Sequence, residues 1–334
     1  MINIQLASEE WVEGQLTGST TGGDSGSMSL KQKLISNDSP TLVQGLSVPS
    51  AQEFGLVKFN GINFIYYTEG WESEHINVAE YDVVNHIATN TSIAVNSALL
   101  GIDSAIVKCS YAFLFNSKVY MVVSCWSSNY CAMLSSTDGR NFTLISKTLL
   151  DVVSNFKAGM FGNHCIIPYR IDGYFYWFIE GRETMDSGSS WGMKLLKSTS
   201  MESGWELVGV VTGLAPAYSS HGGAKVFYDN GIFKMFYHYS LQATPPSILG
   251  YAEADFNNPL YFEKIYYPLL DITRTPFPNT NQVADPEIVE VGGKVLLFAE
   301  YVDNSNHEGA VYVWESVYRI YDILSSPLND TNVN

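Results

Sequence analysis

Apolar and aromatic residues along this chain come in short runs, and the runs come in pairs. Glu53–Phe59 and Ile62–Tyr67 flank the turn Asn60-Gly61. Tyr111–Phe115 and Lys118–Val122 flank Asn116-Ser117, and Ile166–Ile171 and Tyr174–Phe178 flank Asp172-Gly173. Ala224–Asp229 and Ile232–Tyr237 flank Asn230-Gly231, and Gln282–Val291 and Lys294–Tyr301 flank Gly292-Gly293. Two-residue turns of this kind between strand-like runs predict β-hairpins. Gly61, Ser117, Gly173, Gly231 and Gly293 return every 56 to 62 residues. After each hairpin the chain offers two further short runs, as in Ala132–Ser136 and Phe142–Ile145, or Met193–Ser198 and Trp205–Val208; the last is Tyr318–Tyr321. Four strands per unit at a period of roughly 40–60 residues predict an all-β, five-bladed β-propeller. Its innermost strands fall near 54–59, 110–115, 165–170, 224–228 and 286–291.

The repeat fills residues 49–334 and leaves 1–48 as an N-terminal extension or anchor. Thr17–Ser27 is rich in Gly, Ser and Thr, as linkers are, and the pieces beside it are too short for a core of their own. Thr41–Val48 could supply a strand pairing the first and last blades, which would close the ring and protect its edges.

Charge narrows the partners. The 334 residues carry a formal charge of −16, which repels phosphate backbones and anionic lipid. Nucleic-acid and membrane-surface binding are therefore not expected. No run of 18 apolar residues is present, so no membrane insertion is expected. Met1–Gln5 has neither basic flank nor apolar stretch, so no ordinary signal peptide is expected; synthesis would be cytoplasmic, with a virion as one destination. Cys109, Cys125, Cys131 and Cys165 have no metal-binding spacing and read as buried thiols. A bridge between Cys125 and Cys131 across the loop 126–130 is the other reading.

Ala284-Asp285-Pro286-Glu287-Ile288-Val289, followed by Gly293–Glu300, resembles a blade of the propellers of glycoside hydrolase family 43 and its relatives. Ser136-Thr137-Asp138-Gly139 and Ser203-Gly204-Trp205 resemble that family's turn into the outer strand. The resemblance covers about 50–324. It implies three carboxylates on inner strands of different blades meeting at the axis: an Asp that activates water, a Glu that donates a proton, and an Asp that tunes the acid. It also allows a channel cation such as calcium; otherwise no cofactor is expected.

Counting back from each turn aligns Glu53, Cys109, Cys165, Gly223 and Asp285 as the axial ring, with Gln52, Lys108, His164, His221 and Glu287 beside it. Asp285 and Glu53 are the candidate catalytic pair. Gln52, His164, His221 and Glu287 are candidate ligand-binding residues, His164 and His221 reading either as channel-facing or as internally satisfied. Glu69, Glu180 and Glu300 follow the second strands and read as blade-to-blade contacts. Trp71, Trp126, Trp191 and Tyr239, placed on loops after those strands, are candidates to stack on sugar faces or to pack locally. Because the ring offers two carboxylates and no third to tune them, the leading expectation is a glycan-recognising module in a surface or virion setting such as a phage tail fibre. Carbohydrate is then the partner, with residues 1–48 joining a larger assembly. The alternative is a family-43-like glycoside hydrolase using Asp285 and Glu53.

Overall fold

The computed structural model describes residues 30–34, 40–46, 51–70, 73–102, 107–125, 130–149, 156–185, 188–214, 220–240, 248–271, 282–303, 308–316 and 318–324. They form five four-stranded sheets. Blade one is β2 (Ala51–Phe59), β3 (Ile62–Glu69), β4 (His75–Asp82) and β5 (Ile87–Asn96). Blade two is β6 (Val107–Phe115), β7 (Lys118–Cys125), β8 (Tyr130–Ser136) and β9 (Phe142–Leu149). Blade three is β10 (Phe156–Ile171), β11 (Tyr174–Met185), β12 (Gly188–Ser198) and β13 (Glu206–Val210). Blade four is β14 (His221–Asp229), β15 (Ile232–Tyr239), β16 (Ile248–Asp255) and β17 (Glu263–Asp271). Blade five combines β18 (Gln282–Val291), β19 (Lys294–Asp303) and β20 (Glu308–Ser316) with β1 (Thr41–Leu42). Each inner strand touches the next, and β18 touches β2, so the ring closes. The chain is a five-bladed β-propeller.

The turns explain why the hairpins form where they do. Both turn residues have positive φ in all five: Asn60 and Gly61 at 50° and 81°, Asn116 and Ser117 at 48° and 55°, Asp172 and Gly173 at 49° and 86°, Asn230 and Gly231 at 48° and 85°, Gly292 and Gly293 at 61° and 77°. That is the twist-matched hairpin turn which Asn, Asp and Gly tolerate best.

One expectation about the C-terminal end does not hold. Tyr318–Tyr321 is not a strand: Ile320–Leu324 is a short helix, with Ile320, Ile323 and Leu324 buried on one face. A short apolar run fits either period, and here the helical one buries more. The outer place in blade five goes to β1, where Thr41 faces Val313 and Leu42 faces Tyr312. A second short helix, Leu30–Leu34, joins the core: Leu30 and Leu34 are buried in one cluster with Phe236, Leu249, Ile320 and Ile323. Lys33 Nζ donates to the Asp322 carbonyl at 3.1 Å, and Ser316 Oγ donates to the Lys33 carbonyl. Thr17–Ser27 lies outside the described residues.

Cys125, Cys131 and Cys165 are free and buried, so no Cys125–Cys131 bridge forms. Burial pushes the Cys125 thiol up to about 12. No described helix is long and apolar enough to cross a membrane.

Candidate active site at the propeller axis

Every inner strand breaks its ladder near its start. The breaks lie between Gln52 and Gly55, Lys108 and Tyr111, Phe161 and His164, Gly222 and Lys225, and Ala284 and Glu287. At three of these bulges the backbone is left-handed: φ is 50° at Glu53, 57° at Gly223 and 52° at Asp285. A Glu or Asp held there costs on the order of 1–2 kcal/mol. In return the amide turns out of its own sheet, and a side chain of the preceding blade accepts it. Glu53 N donates to Glu300 Oε2 at 3.1 Å, Gly223 N to Glu180 Oε2 at 2.7 Å, and Asp285 N to His238 Nδ1 at 3.1 Å. Glu300 stands to Gly293 as Glu180 does to Gly173 and His238 to Gly231, so one repeat position supplies each clasp. Ser124 holds it in blade two, with Oγ donating to the Gly162 carbonyl at 3.2 Å and lying 2.8 Å from His164 Nε2. In blade one the place belongs to Thr68, not to Glu69, whose Oε1 accepts from Asn77 Nδ2 within its own blade at 2.8 Å.

These clasps gather charge at the axis. Asp285 Oδ1 accepts from Asn163 Nδ2 at 2.7 Å and lies 3.2 Å from His238 Nδ1. The Asn163 amide also reaches Glu180 Oε2 at 3.2 Å, and His238 Nε2 lies 3.8 Å from Glu180 Oε1. Glu53 Oε1 lies 3.3 Å from Lys108 Nζ, both groups almost wholly enclosed. Two glycines make the room. A Cβ at Gly222 would lie 2.0 Å from the Glu180 carboxyl carbon, and one at Gly223 would lie 2.4 Å from His238 Nδ1.

The proton affinities diverge. Burial pulls the Asp285 carboxyl upward, but the hydrogen bond and charge of His238, helped by Glu300 and Lys108, hold it below its ordinary value. Glu300 is pushed well above the usual carboxyl range, by burial and then by the charge and hydrogen bond of Asp285. Burial also raises Glu180, against the opposing charge of His238. Burial would lower His238, yet the Asp285 hydrogen bond and the charges of Glu180 and Asp285 leave it raised.

Of the residues singled out from sequence, Asp285 and Glu53 come together at this site, joined through Glu300. Cys165 does not belong to the axial ring. Between Ile167 and Ile171, β10 advances four residues while β11 retreats two, from Tyr176 to Tyr174, so a count back from the turn stops two residues short. Asn163 takes the place instead. Cys165 lies one layer deeper, its Sγ 3.6 Å from Tyr111 Oη and 3.2 Å from Val226 N. Glu287 shares that layer, paired with Lys225 at 2.5 Å, while Lys225 also sits 4.9 Å over the Tyr111 ring. His164 faces blade two, buried against Ser124 and 5.5 Å from the Trp177 ring, and burial lowers its imidazole to about 3. His221 opens β14 opposite Tyr239, half-buried. Tyr239 is not on a loop: it ends β15, fully buried, 5.6 Å from the Tyr237 ring. Trp191 belongs to β12, opposite Arg182, and its amide donates to Ser220 Oγ at 3.2 Å. The Gln52 backbone pairs with Thr68 in β2, its side chain being outside the described residues, as are Trp71 and Trp126. Sequence reasoning missed Asn163 and His238. His238 could have been found by its repeat position, shared with Glu180 and Glu300. No group of three or more His, Cys, Asp or Glu side chains disposed to hold a metal ion occurs among the described residues.

No protein-family model matches the chain, and no curated protein matches its sequence. Solved structures do match its fold. The RS223 β-xylosidase aligns over 85% of this chain and 97% of its own, with a TM-score of 0.61 and 16% identity. A thermostable family-43 glycoside hydrolase aligns over 81% and 90%, with a TM-score of 0.57 and 17% identity. The α-L-arabinofuranosidase of Podospora anserina, in complex with cellotriose, aligns over 83% and 95%, with a TM-score of 0.59 and 9% identity. At these identities the likeness is one of fold: the chain has the five-bladed propeller of family-43 structures, as the repeat and the blade motifs implied.

Proposed function

We propose that the protein acts on carbohydrate at the axial site as a glycoside hydrolase, with Asp285 as the ionised carboxylate and Glu180 as the acid. One observation carries this: two carboxyls bridged by the Asn163 amide have their proton affinities pushed apart, Asp285 below its ordinary value and Glu180 above it. Glycosidic cleavage needs that separation, since one carboxyl protonates the departing oxygen while the other activates water or attacks the sugar. The inner strands alone offered two carboxyls, which had favoured recognition without turnover; the second strands add Glu180 and Glu300, so the objection falls. Glu53, held by Lys108, and Asn163 are then placed to bind sugar hydroxyls. Fold likeness to a β-xylosidase and an arabinofuranosidase supports the same reading. The reaction proposed uses no cofactor.

Recognition without turnover, in a virion tail fibre or another surface assembly, is the second reading. It is favoured by the Asn163 amide, which donates to both Asp285 and Glu180 and so links the two carboxyls directly. The test is reducing-sugar release from a panel of neutral polysaccharides, xylan and arabinan among them, alongside a glycan array. Release by the wild type that disappears in Asp285→Asn and Glu180→Gln supports the hydrolase. Array binding that Asp285→Asn weakens, with no release from any polymer, supports recognition instead. Neither release nor binding rejects both.

A further inference from the structure

An imidazole lies between the two carboxyls of the proposed reaction, and it is not centred. His238 is 4% exposed, and its two ring nitrogens face two different carboxyls. Nδ1 is 3.2 Å from Asp285 Oδ1, a hydrogen-bond distance, whereas Nε2 is 3.8 Å from Glu180 Oε1, an ion-pair distance only. Nδ1 has a partner in either state. A neutral ring with its proton on Nε2 accepts from the Asp285 amide at 3.1 Å; an imidazolium donates to the Asp285 carboxylate. The space is reserved for this arrangement, because a side chain at Gly222 or Gly223 would displace the Glu180 carboxyl or the imidazole.

The other groups around it do not do the same job. Asn163 also joins Asp285 to Glu180, but an amide carries no titratable proton. Glu300 of β19 and Lys108 of β6 also act on Asp285, and neither is among the groups that act on Glu180. His238 is therefore the ionisable group shown in contact with both carboxyls. A cation closer to one of two carboxyls stabilises the ionised form of that one more, and enclosure from water strengthens the difference.

From this geometry we propose that His238 is a positioning residue: as an imidazolium set nearer Asp285 than Glu180, it decides which carboxyl is ionised and which keeps the proton. The inference rests on the hydrolase reading for its use, since it assigns the roles of base and acid, but it can be tested without any substrate. Histidine-selective NMR on the full chain would follow the imidazole through pH, with the His238 signals identified by their loss in His238→Gln. The ring should carry protons on both nitrogens at neutral pH. Asp285→Asn should lower its midpoint by about one pH unit or more, the effect expected of one adjacent charge, and Glu180→Gln should lower it less. Carboxyl NMR of His238→Gln, which keeps an acceptor for the Asp285 amide, should show Asp285 titrating about one unit higher. A neutral ring at pH 7, an equal or larger effect of Glu180→Gln, or an unmoved Asp285 in His238→Gln overturns the proposal. Expected NMR behaviour without sugar release sinks only the hydrolase reading, while sugar release with contrary NMR behaviour sinks only this one.

Discussion

Replacing Gly223 by alanine asks whether the close approach at the axis is real. Two costs apply. The first is backbone strain: φ is 57°, where a Cβ costs about 1 kcal/mol. The second is collision. The new methyl would stand 2.4 Å from His238 Nδ1, 2.8 Å from its Cε1 and 2.9 Å from Asp285 Oδ1. The ring and the carboxylate cannot both stay, and losing one charge-assisted bond in a buried site costs roughly 1.5–3 kcal/mol. Gly223→Ala should therefore destabilise by roughly 2.5–4 kcal/mol. Gly231→Ala is the control, because φ there is 85° but nothing lies within 4 Å of the added methyl; it should cost about 1 kcal/mol. Equilibrium urea unfolding of both variants, with the denaturant slope checked for constancy, measures the difference. If Gly223→Ala costs no more than Gly231→Ala, then His238 and Asp285 do not crowd that backbone, and the clasp described above is wrong.

Two further outcomes follow from burial. Leu34 is fully buried against the blade-five side of the core, so Leu34→Ala should cost roughly 2–5 kcal/mol in the same unfolding experiment; a value near zero would return the segment to the role of an appendage. Glu300 holds its proton more tightly folded than unfolded, so its contribution is full below the ordinary carboxyl value and is lost as pH rises through the raised one. The stability that Glu300 contributes should therefore fall as pH climbs above the ordinary carboxyl value, and Glu300→Gln, which keeps the shape of the protonated acid, should flatten that fall. A variant that instead steepens it would show that Glu300 is ionised in the native protein.

The propeller was legible because its hairpins are local. An Asn-Gly or Gly-Gly turn announces both strands beside it, and five such turns at even spacing set the blade count. What escaped was whatever depends on register or on distant partners. The Cys165 assignment failed because a bulge around Pro168 shifts β10 past the point where counting from Gly173 stays valid. The outer place in blade five was assigned to Tyr318–Tyr321, a run beside the blade, whereas it goes to β1, from the segment expected to close the ring, which reaches its partner across most of the chain. His238 escaped because Thr68, Ser124, Glu180, His238 and Glu300 look unrelated as residue types. Their common place in the blade shows only once the repeat is read as geometry.

That common place also explains why the charge lies to one side. All five positions follow the second strand's turn in the same way, so the fold asks each for a polar group directed at the next blade. Blade two meets the request with the Ser124 hydroxyl, and blade one has Thr68 at the same position; neither side chain titrates near neutrality. Blades three, four and five meet it with Glu180, His238 and Glu300, which can exchange protons. The ionisable arms thus cluster around Asp285, while Lys108 balances Glu53 on the other flank. The ionisable arms keep the structural contact: Glu180 holds the Gly223 amide, and Glu300 holds the Glu53 amide. Substituting any of these three arms should therefore lower stability together with function. A variant that keeps a hydrogen-bonding group in place and removes only the titratable proton, such as Glu180→Gln or His238→Gln, is the one that separates the two.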